Sequence, residues 1–467
     1  MRLFNSKSSL NLVLTVLFPV FLGGCAAYPV NQTMENLDVD NRVDFANMRE
    51  AEKLSNSILL FITFSGGGTR AAALSYGVLE VLADTPVNLS GNQSRLIDEI
   101  DLISSVSGGS FTAAYYGLFG DQIFEDFETR FLKHNIQGDL VRQLFNPKNW
   151  FRLPSNNFGR SDLAAELYDK KLFFDLTLGD LRDRTGPAIV INATDATAGT
   201  QFSFVQPHFD WLCSDISMYP VSRAVAASSA VPGALGSITL RNYSGSCNYE
   251  FPLWARLALD ERDIYSSGFH QADRINSYMD ADKRPFIHLL DGGLSDNLGV
   301  RTIIDQFKQS GGVVTGLKSI GAGNISKLVV LVVNAETASE KDLNFLESLP
   351  LVAQLGMASR IPLNRYNYET IGLLLNQIEL WKTKVREYRC GDTQSEQGSG
   401  DSRCTSLDSY FIEVNFESLA DEAEKQYFQE LPTSFKLSSE EVDKLRNVAR
   451  RILKESTEFQ RLLEDLQ

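Results

Sequence analysis

Ile58–Phe64 (ILLFITF) runs without a break into Ser65–Ala71 (SGGGTRA), and this join decides the fold. The first stretch is apolar except for Thr63, the pattern of a central strand covered on both faces rather than the alternation of a half-exposed one. Gly66, Gly67 and Gly68 make a turn, and Thr69–Leu82 then reads as a helix with Leu74, Val78, Val81 and Leu82 on one apolar stripe. The same order of strand, small-residue turn and helix returns at Ile100–Val106 (IDLISSV), where Ser107 precedes a helix over Gly108–Gly120. Ala188–Ala193 (AIVINA) is a further strand with Phe202–Val205 as a short hairpin partner, and Ser222–Ser229 is an Ala-rich helix ended by Pro232. Ile287–Leu290 leads into Asp291, and Leu328–Val333 (LVVLVV) is the last buried strand. Buried strands alternating with helices predict an α/β fold, a three-layer α/β/α sandwich with a mostly parallel central sheet.

Three turns at strand ends carry residues suited to one reaction. Cleavage of an ester by serine needs a proton acceptor and donors aimed at the developing oxyanion. Among Ser104, Ser105, Ser107 and Ser110, Ser107 directly follows the strand and precedes Gly108 and Gly109. Its hydroxyl can project there while backbone N–H groups at the helix start remain unpaired. The Gly66–Gly68 turn can supply convergent N–H groups without intruding side chains, and it lacks the lysine of a nucleotide phosphate loop. Asp291 stands at a strand end before Gly292 and Gly293, as a carboxylate base or as a simple turn cap. His288 could instead complete a Ser-His-Asp triad, but it lies three positions before Asp291 within the same strand run, with no reason for its ring to reach Ser107.

Together these pieces resemble the patatin-like phospholipase family. Ser65–Arg70 looks like its oxyanion motif, Ser105-Val106-Ser107-Gly108-Gly109 its serine motif and Asp291-Gly292-Gly293 its aspartate motif. Asn192–Asp195 before Phe202-Ser203-Phe204, Ala227–Pro232, and Asn297 beyond the DGG add to the likeness, which covers about Ile58–Ala335. Pro432–Phe435 and the final helix resemble the family's C-terminal extension. The resemblance implies a patatin-like hydrolase fold and hydrolysis of carboxyl esters of phospholipids or lysophospholipids through an acyl-enzyme. Ser107 would be the nucleophile, Asp291 the general base and Gly66, Gly67 and Gly68 the oxyanion hole, with Arg70 orienting that loop or meeting negative charge. No metal and no organic cofactor follows. Ser105 stands where the family's G-x-S-x-G has glycine, and Ala71 replaces the last glycine of G-x-G-x-x-G; a positive φ at Ser105 would be costly. A broad carboxylesterase or thioesterase, or a noncatalytic lipid-binding envelope lipoprotein, are the alternatives.

The N-terminus bears on location. Arg2 and Lys7 precede an apolar run from about Leu10 to Leu22, too short to span a membrane comfortably and suited to a secretory signal. Leu22-Gly23-Gly24-Cys25 is similar to the lipobox of bacterial lipoproteins, which implies an acylated Cys25 and a lipid-anchored protein of the bacterial cell envelope. Ala26 at the next position resembles sorting to the outer membrane, facing the periplasm. The remaining cysteines, Cys213, Cys247, Cys390 and Cys404, are spaced to permit local disulfides Cys213–Cys247 and Cys390–Cys404, as an exported chain allows. Of the three possible pairings this one has the shortest loops, and neither C-x-x-C nor H-E-x-x-H suggests a metal. A net charge of −15 opposes nucleic acid, and it repels anionic lipid at long range, so a lipid substrate must be captured by apolar contact near the site or by the tether.

The chain thus divides into a signal segment (1–24), a tether and linker (25–56), the acyl hydrolase domain (57–340) and a mainly helical C-terminal extension (341–467). Tyr28–Asn56 reads as a polar spacer, and the pattern weakens between Pro232 and Phe286, a cover over the acyl pocket or a peripheral insertion. In the tail, Tyr366–Tyr388 is helical, Gly391–Ser402 is a polar loop, and Tyr410–Phe416 is a strand. A capping box of Ser438 and Glu441 opens the last helix, whose apolar spacing predicts packing on the main body.

Overall fold

The computed structural model describes residues 30–37, 57–89, 91–155, 158–337, 348, 351–390 and 407–466, the backbone alone being described for 351–360. In chain order the elements that build the site are β1 (Ile58–Phe64), α1 (Gly68–Ala83), β2 (Ile100–Val106), α2 (Gly108–Phe119), β3 (Ala188–Asp195), β4 (Thr200–Ser203), α3 (Val221–Ser228), β5 (Ile238–Arg241) and β6 (Phe286–Asp291). They continue with α4 (Arg301–Gln309), β7 (Lys327–Asn334), α5 (Leu351–Cys390), β8 (Asp408–Asn415), α6 (Ser439–Glu455) and α7 (Thr457–Asp465).

One eight-stranded sheet runs in the order β8-β7-β1-β2-β3-β6-β5, with β4 paired to β3. The neighbours from β8 through β3 are parallel, and β6, β5 and β4 join antiparallel. Continuous apolar runs are required because alternate residues feed two separate cores. Leu60, Ile62 and Phe64 of β1 face the core containing α1, α2 and α6, and Leu59 and Phe61 face the core containing α4 and α5. β7 divides likewise, with Val329, Leu331 and Val333 to one side and Leu328, Val330 and Val332 to the other. Each such side chain, once fully buried, contributes about 1.5–3 kcal/mol of transfer free energy.

α1 departs from the expected single stripe: it is buried nearly all round, because α6 covers the face that the sheet does not. The crossing is close at Gly77, where a Cβ would lie 2.8 Å from Arg446 Cα and from its carbonyl oxygen. Arg446 then reaches Glu80 on α1 at 2.6 Å. The tail also does more than pack on the body, since β8 pairs with β7 along all eight residues and extends the parallel sheet. Inside α5, Leu374, Ile378, Trp381 and Val385 form the helical stripe that meets the second core, with Trp381 packed edge-on against Phe307 of α4.

The segment expected as a polar spacer is corrected where it is described. Gln32–Thr33 pairs antiparallel with Ser214–Asp215, and Asn31 bonds both the Arg241 backbone and Ser214 Oγ. Asn31 is a satisfied, buried polar anchor rather than a linker residue. The Cys213–Cys247 disulfide, with Cα atoms 5.5 Å apart, closes the region beside it. Cys390 is also disulfide-bonded, while its expected partner Cys404, the loop at Gly391–Ser402 and the lipobox with Cys25 lie outside the described residues. The weakly patterned stretch after Pro232 holds β5 and the helices Leu253–Glu261 and Ser267–Tyr278. It is fastened to the sheet by Tyr278 Oη, which donates to Asp195 at 2.6 Å. Among the described residues no helix is long and apolar enough to cross a membrane.

Candidate active site

Parallel strands put their carboxyl ends on one edge, and β1, β2 and β7 deliver their turns there. β2 stops at Val106, and Ser107 takes φ 49° and ψ −117° before α2 begins. This is the left-handed region that a residue with a side chain enters only at a cost of about 1–3 kcal/mol unless its surroundings hold it. They do: Ser107 N donates to Ser228 Oγ at 2.8 Å, and Ser228 Oγ in turn donates to the Asn192 carbonyl at 2.6 Å. Asn192 Nδ2 holds the end of β2 from the other side, at Ser104 Oγ and the Ser105 carbonyl. Ser105 itself lies outside the positive-φ region, and its hydroxyl donates to the Val190 carbonyl, so serine is accommodated there without backbone strain. Ala71, the second departure, is a buried residue of α1.

Ser107 Oγ lies 2.8 Å from Asp291 Oδ2, although the two are 184 positions apart. Asp291 arrives on β6, the antiparallel neighbour of β3, and its backbone is fixed by Asp291 N to the Ala230 carbonyl and by Thr194 Oγ1 to the Asp291 carbonyl. Gly292 N donates to the Ser228 carbonyl, and Gly293 N donates to Asp291 Oδ1 at 2.8 Å. Burial pushes the Asp291 carboxyl up to about 6, against the lowering by the Gly293 N–H and the Ser107 hydroxyl. A carboxylate so placed is a stronger base than an exposed aspartate and still ionised at neutral pH.

The three glycines of the first turn divide. Gly66 is corrected as an oxyanion donor, because its N–H is spent on the Asn297 carbonyl at 3.0 Å. Its contribution is space: a Cβ there would come 2.5 Å from Asn297 Oδ1 and 3.3 Å from Ser107 Cβ. Gly67 and Gly68 N–H groups make no hydrogen bond among the described residues and are free to meet an anion. The serine turn nests directly on this loop, since a Cβ on Gly108 would fall 2.1 Å from the Gly68 carbonyl oxygen. A Cβ on Gly109 would fall 2.6 Å from Phe64 Cβ and 2.8 Å from the Ser65 carbonyl oxygen.

Arg70 does not face the site. Buried at 2% exposure, it donates from Nε to the Ala335 carbonyl at 3.0 Å, from Nη1 to the Leu431 carbonyl and from Nη2 to Thr433 Oγ1 at 3.1 Å. Thr69 N donates to the Ser434 carbonyl, so the tail segment 431–434 clamps the glycine turn. His288 is exposed and bonded to Thr239 Oγ1 on the neighbouring strand, away from the buried Ser107–Asp291 pair. Ser228, Asn192 and Thr194, which fix the two turns, lie in the stretches Asn192–Asp195 and Ala227–Pro232 that add to the family likeness, though the sequence alone assigns them none of these bonds. Among the described residues no group of three or more His, Cys, Asp or Glu side chains could hold a metal.

The arrangement is a serine elbow with an aspartate behind it and a glycine turn in front. Residues 62–304, just over half the chain, match the patatin-like phospholipase family, and the chain belongs to it. Among solved structures it is similar to human GIVD cytosolic phospholipase A2 in complex with methyl γ-linolenyl fluorophosphonate and terbium chloride, at 13% identity and a TM-score of 0.40 over 94% of this chain. A second structure of that enzyme, with methyl γ-linolenyl fluorophosphonate, gives 12% identity and a TM-score of 0.34 over 90% of this chain. The chain spans 66% and 62% of the length of those two. No curated protein sequence matches.

Proposed function

We propose that the protein hydrolyses carboxyl esters of phospholipids or lysophospholipids by a Ser107–Asp291 dyad. The observation that carries this reading is the 2.8 Å contact between Ser107 Oγ and Asp291 Oδ2 at the nested glycine turns. Asp291 accepts the Ser107 proton as Oγ attacks the acyl carbonyl, and the oxyanion is met by N–H groups of Gly67 and Gly68. Losing one such donor costs about 3–4 kcal/mol of transition-state stabilisation. Protonated Asp291 then returns the proton to the departing alcohol or lysolipid, leaving the acyl group on Ser107. Water, deprotonated by the same carboxylate, attacks the acyl-enzyme and releases the fatty acid.

The location that best fits the N-terminal motif is the bacterial envelope, with Cys25 acylated and the protein on the periplasmic side of the outer membrane. Product analysis on defined phospholipids, lysophospholipids and short-chain esters tests the activity. Fatty acid released from phospholipid or lysophospholipid, lost in S107A and D291N, is the expected result. Release confined to short-chain esters or thioesters would instead make the protein a general esterase, and no release at all a binding protein.

A further inference from the structure

An acidic chain acting on lipid needs a face that lipid accepts. Between Val141 and Phe151 four large apolar side chains stand exposed, Val141 at 45%, Phe145 at 71%, Trp150 at 57% and Phe151 at 59%. Clustered exposed rings mark an interaction surface. The segment is built rather than loose, as helices Ile136–Leu144 and Pro147–Trp150. Asn146 accepts from Lys148 N, Asn149 Nδ2 donates to the Gln143 carbonyl at 2.9 Å, and Trp150 Nε1 donates to the Leu144 carbonyl at 3.1 Å. With its N–H satisfied inside, the indole keeps its apolar ring in solvent.

Charge selects the partner. Between Ile136 and Ser155 three cations, Arg142, Lys148 and Arg152, stand with one carboxylate, Asp139, in a chain whose net charge is −15, and Arg152 pairs with Glu166 beyond the segment. Asp139 is already shared by His134, Arg142 and Lys171 at 2.7–2.8 Å. Lys148 has no ion-pair partner among the described residues. A second apolar cluster, Leu253, Leu257, Ile264 and Tyr265, is as exposed but sits among Glu250, Asp260, Glu261 and Asp263 with only Arg256 and Arg262 against them. Anionic lipid attracts the first cluster and repels the second.

The first segment is also tied to the site, through the start of its own first helix and through the helix Arg160–Tyr168 that follows it. Gln137 N donates to the carbonyl of Phe435, the residue after Ser434 on the glycine turn. Arg160 Nη1 donates to the Gly233 carbonyl, three residues beyond Ala230, which holds Asp291 N. We propose that Val141–Phe151 docks the protein on an anionic lipid surface, its rings in the interfacial layer and Arg142 and Lys148 on the headgroups. The benefit of such docking rests on the lipid-hydrolase reading above; the docking itself is measurable without it.

The test uses full-length S107A protein with Cys25 left unacylated, which leaves vesicles intact, and vesicles of brominated phosphatidylcholine with or without about 30% phosphatidylglycerol, the latter giving a strongly anionic surface. Trp150 fluorescence, taken as the difference from W150F, is expected to be quenched on anionic vesicles and less so at raised salt. The triple variant F145S/W150S/F151S is expected to bind them about tenfold more weakly, a loss of interfacial apolar area, whereas L253S/L257S binds as the parent. With Ser107 restored, vesicle hydrolysis falls by a similar factor and cleavage of a soluble short-chain ester does not. An unquenched Trp150, equal binding by the triple variant, or a dimer held together by these rings would overturn the proposal. Quenching without hydrolysis of any ester would leave the docking surface standing and remove the hydrolase reading.

Discussion

Ser107 and Asp291, the proposed nucleophile and base, occupy a strained and a buried position that each cost stability. The elbow conformation is held by Ser228 Oγ, and S228A would leave the buried Ser107 N–H without its acceptor. That change is expected to cost about 1–3 kcal/mol in a denaturant titration and to lower turnover through a misplaced Oγ. Asp291 has the opposite signature. Its folded-state value, raised from 3.8 to about 6, means that the native state holds the proton more tightly than the unfolded one. Stability therefore falls as pH rises from about 4 to 6, by roughly 3 kcal/mol in all. D291N removes this penalty and should melt higher than the parent at pH 8, with the gain vanishing near pH 4; a gain independent of pH would contradict the assignment. Hydrolysis by the parent should rise with pH through about 6 and then level as the base form saturates, a dependence that a pH-rate profile reads directly.

At the scale of elements, the C-terminal tail braces the glycine turn although neither Ser107 nor Asp291 lies in it. Arg70 stitches α1 to Ala335 at the end of β7 and to Leu431 and Thr433 of the tail. R70M would strand the buried carbonyls of Ala335 and Leu431 and release Thr433 Oγ1, and a loss of about 2–4 kcal/mol with reduced kcat and little change in KM for soluble ester is expected. Phe435, next in sequence, enters an aromatic cluster with Phe111, Phe131 and Tyr168 and so ties the same segment to α2. The strands and turns of the site were legible because buried runs such as ILLFITF and LVVLVV and glycine turns are local signals. The clamp by residues 431–434 was not legible, because it joins groups 361 and 363 positions apart through carbonyls that every residue possesses. The commitment of Gly66 N–H to Asn297 was hidden for the same reason: identical glycines differ only in what faces them. The position of His288 was legible from its place within the strand run, since its ring bonds Thr239 on the neighbouring strand.

For the whole molecule, the eight-stranded sheet with two covered faces carries the site, while its edge strand β5 and a separate two-residue ladder at Ser214–Asp215 hold the N-terminal segment. Asn31 and Gln32–Thr33 fix the chain against Ser214 and Arg241, and Asn31 follows Cys25 by six positions, a span of at most about 22 Å when extended. An acyl anchor on Cys25 would thus hold the body close to the lipid rather than on a long leash. Substituting Cys25 should block acylation and maturation, read by intact mass; a mature chain starting elsewhere would reject the lipoprotein proposal. The Cys213–Cys247 bond closes a loop across 34 positions beside the anchored segment. Its reduction is expected to lower stability by about 4 kcal/mol in the chain-entropy model, checked by urea unfolding with and without reductant.

The Ser107–Asp291 dyad is tested most directly by mapping where a long-chain alkyl fluorophosphonate attaches to the protein, and how fast. One adduct on the peptide bearing Ser107 is expected, absent in S107A, slowed by about 10³-fold or more in D291N and unchanged in H288A. Labelling at another serine, or a rate that follows His288 and ignores Asp291, would contradict the dyad.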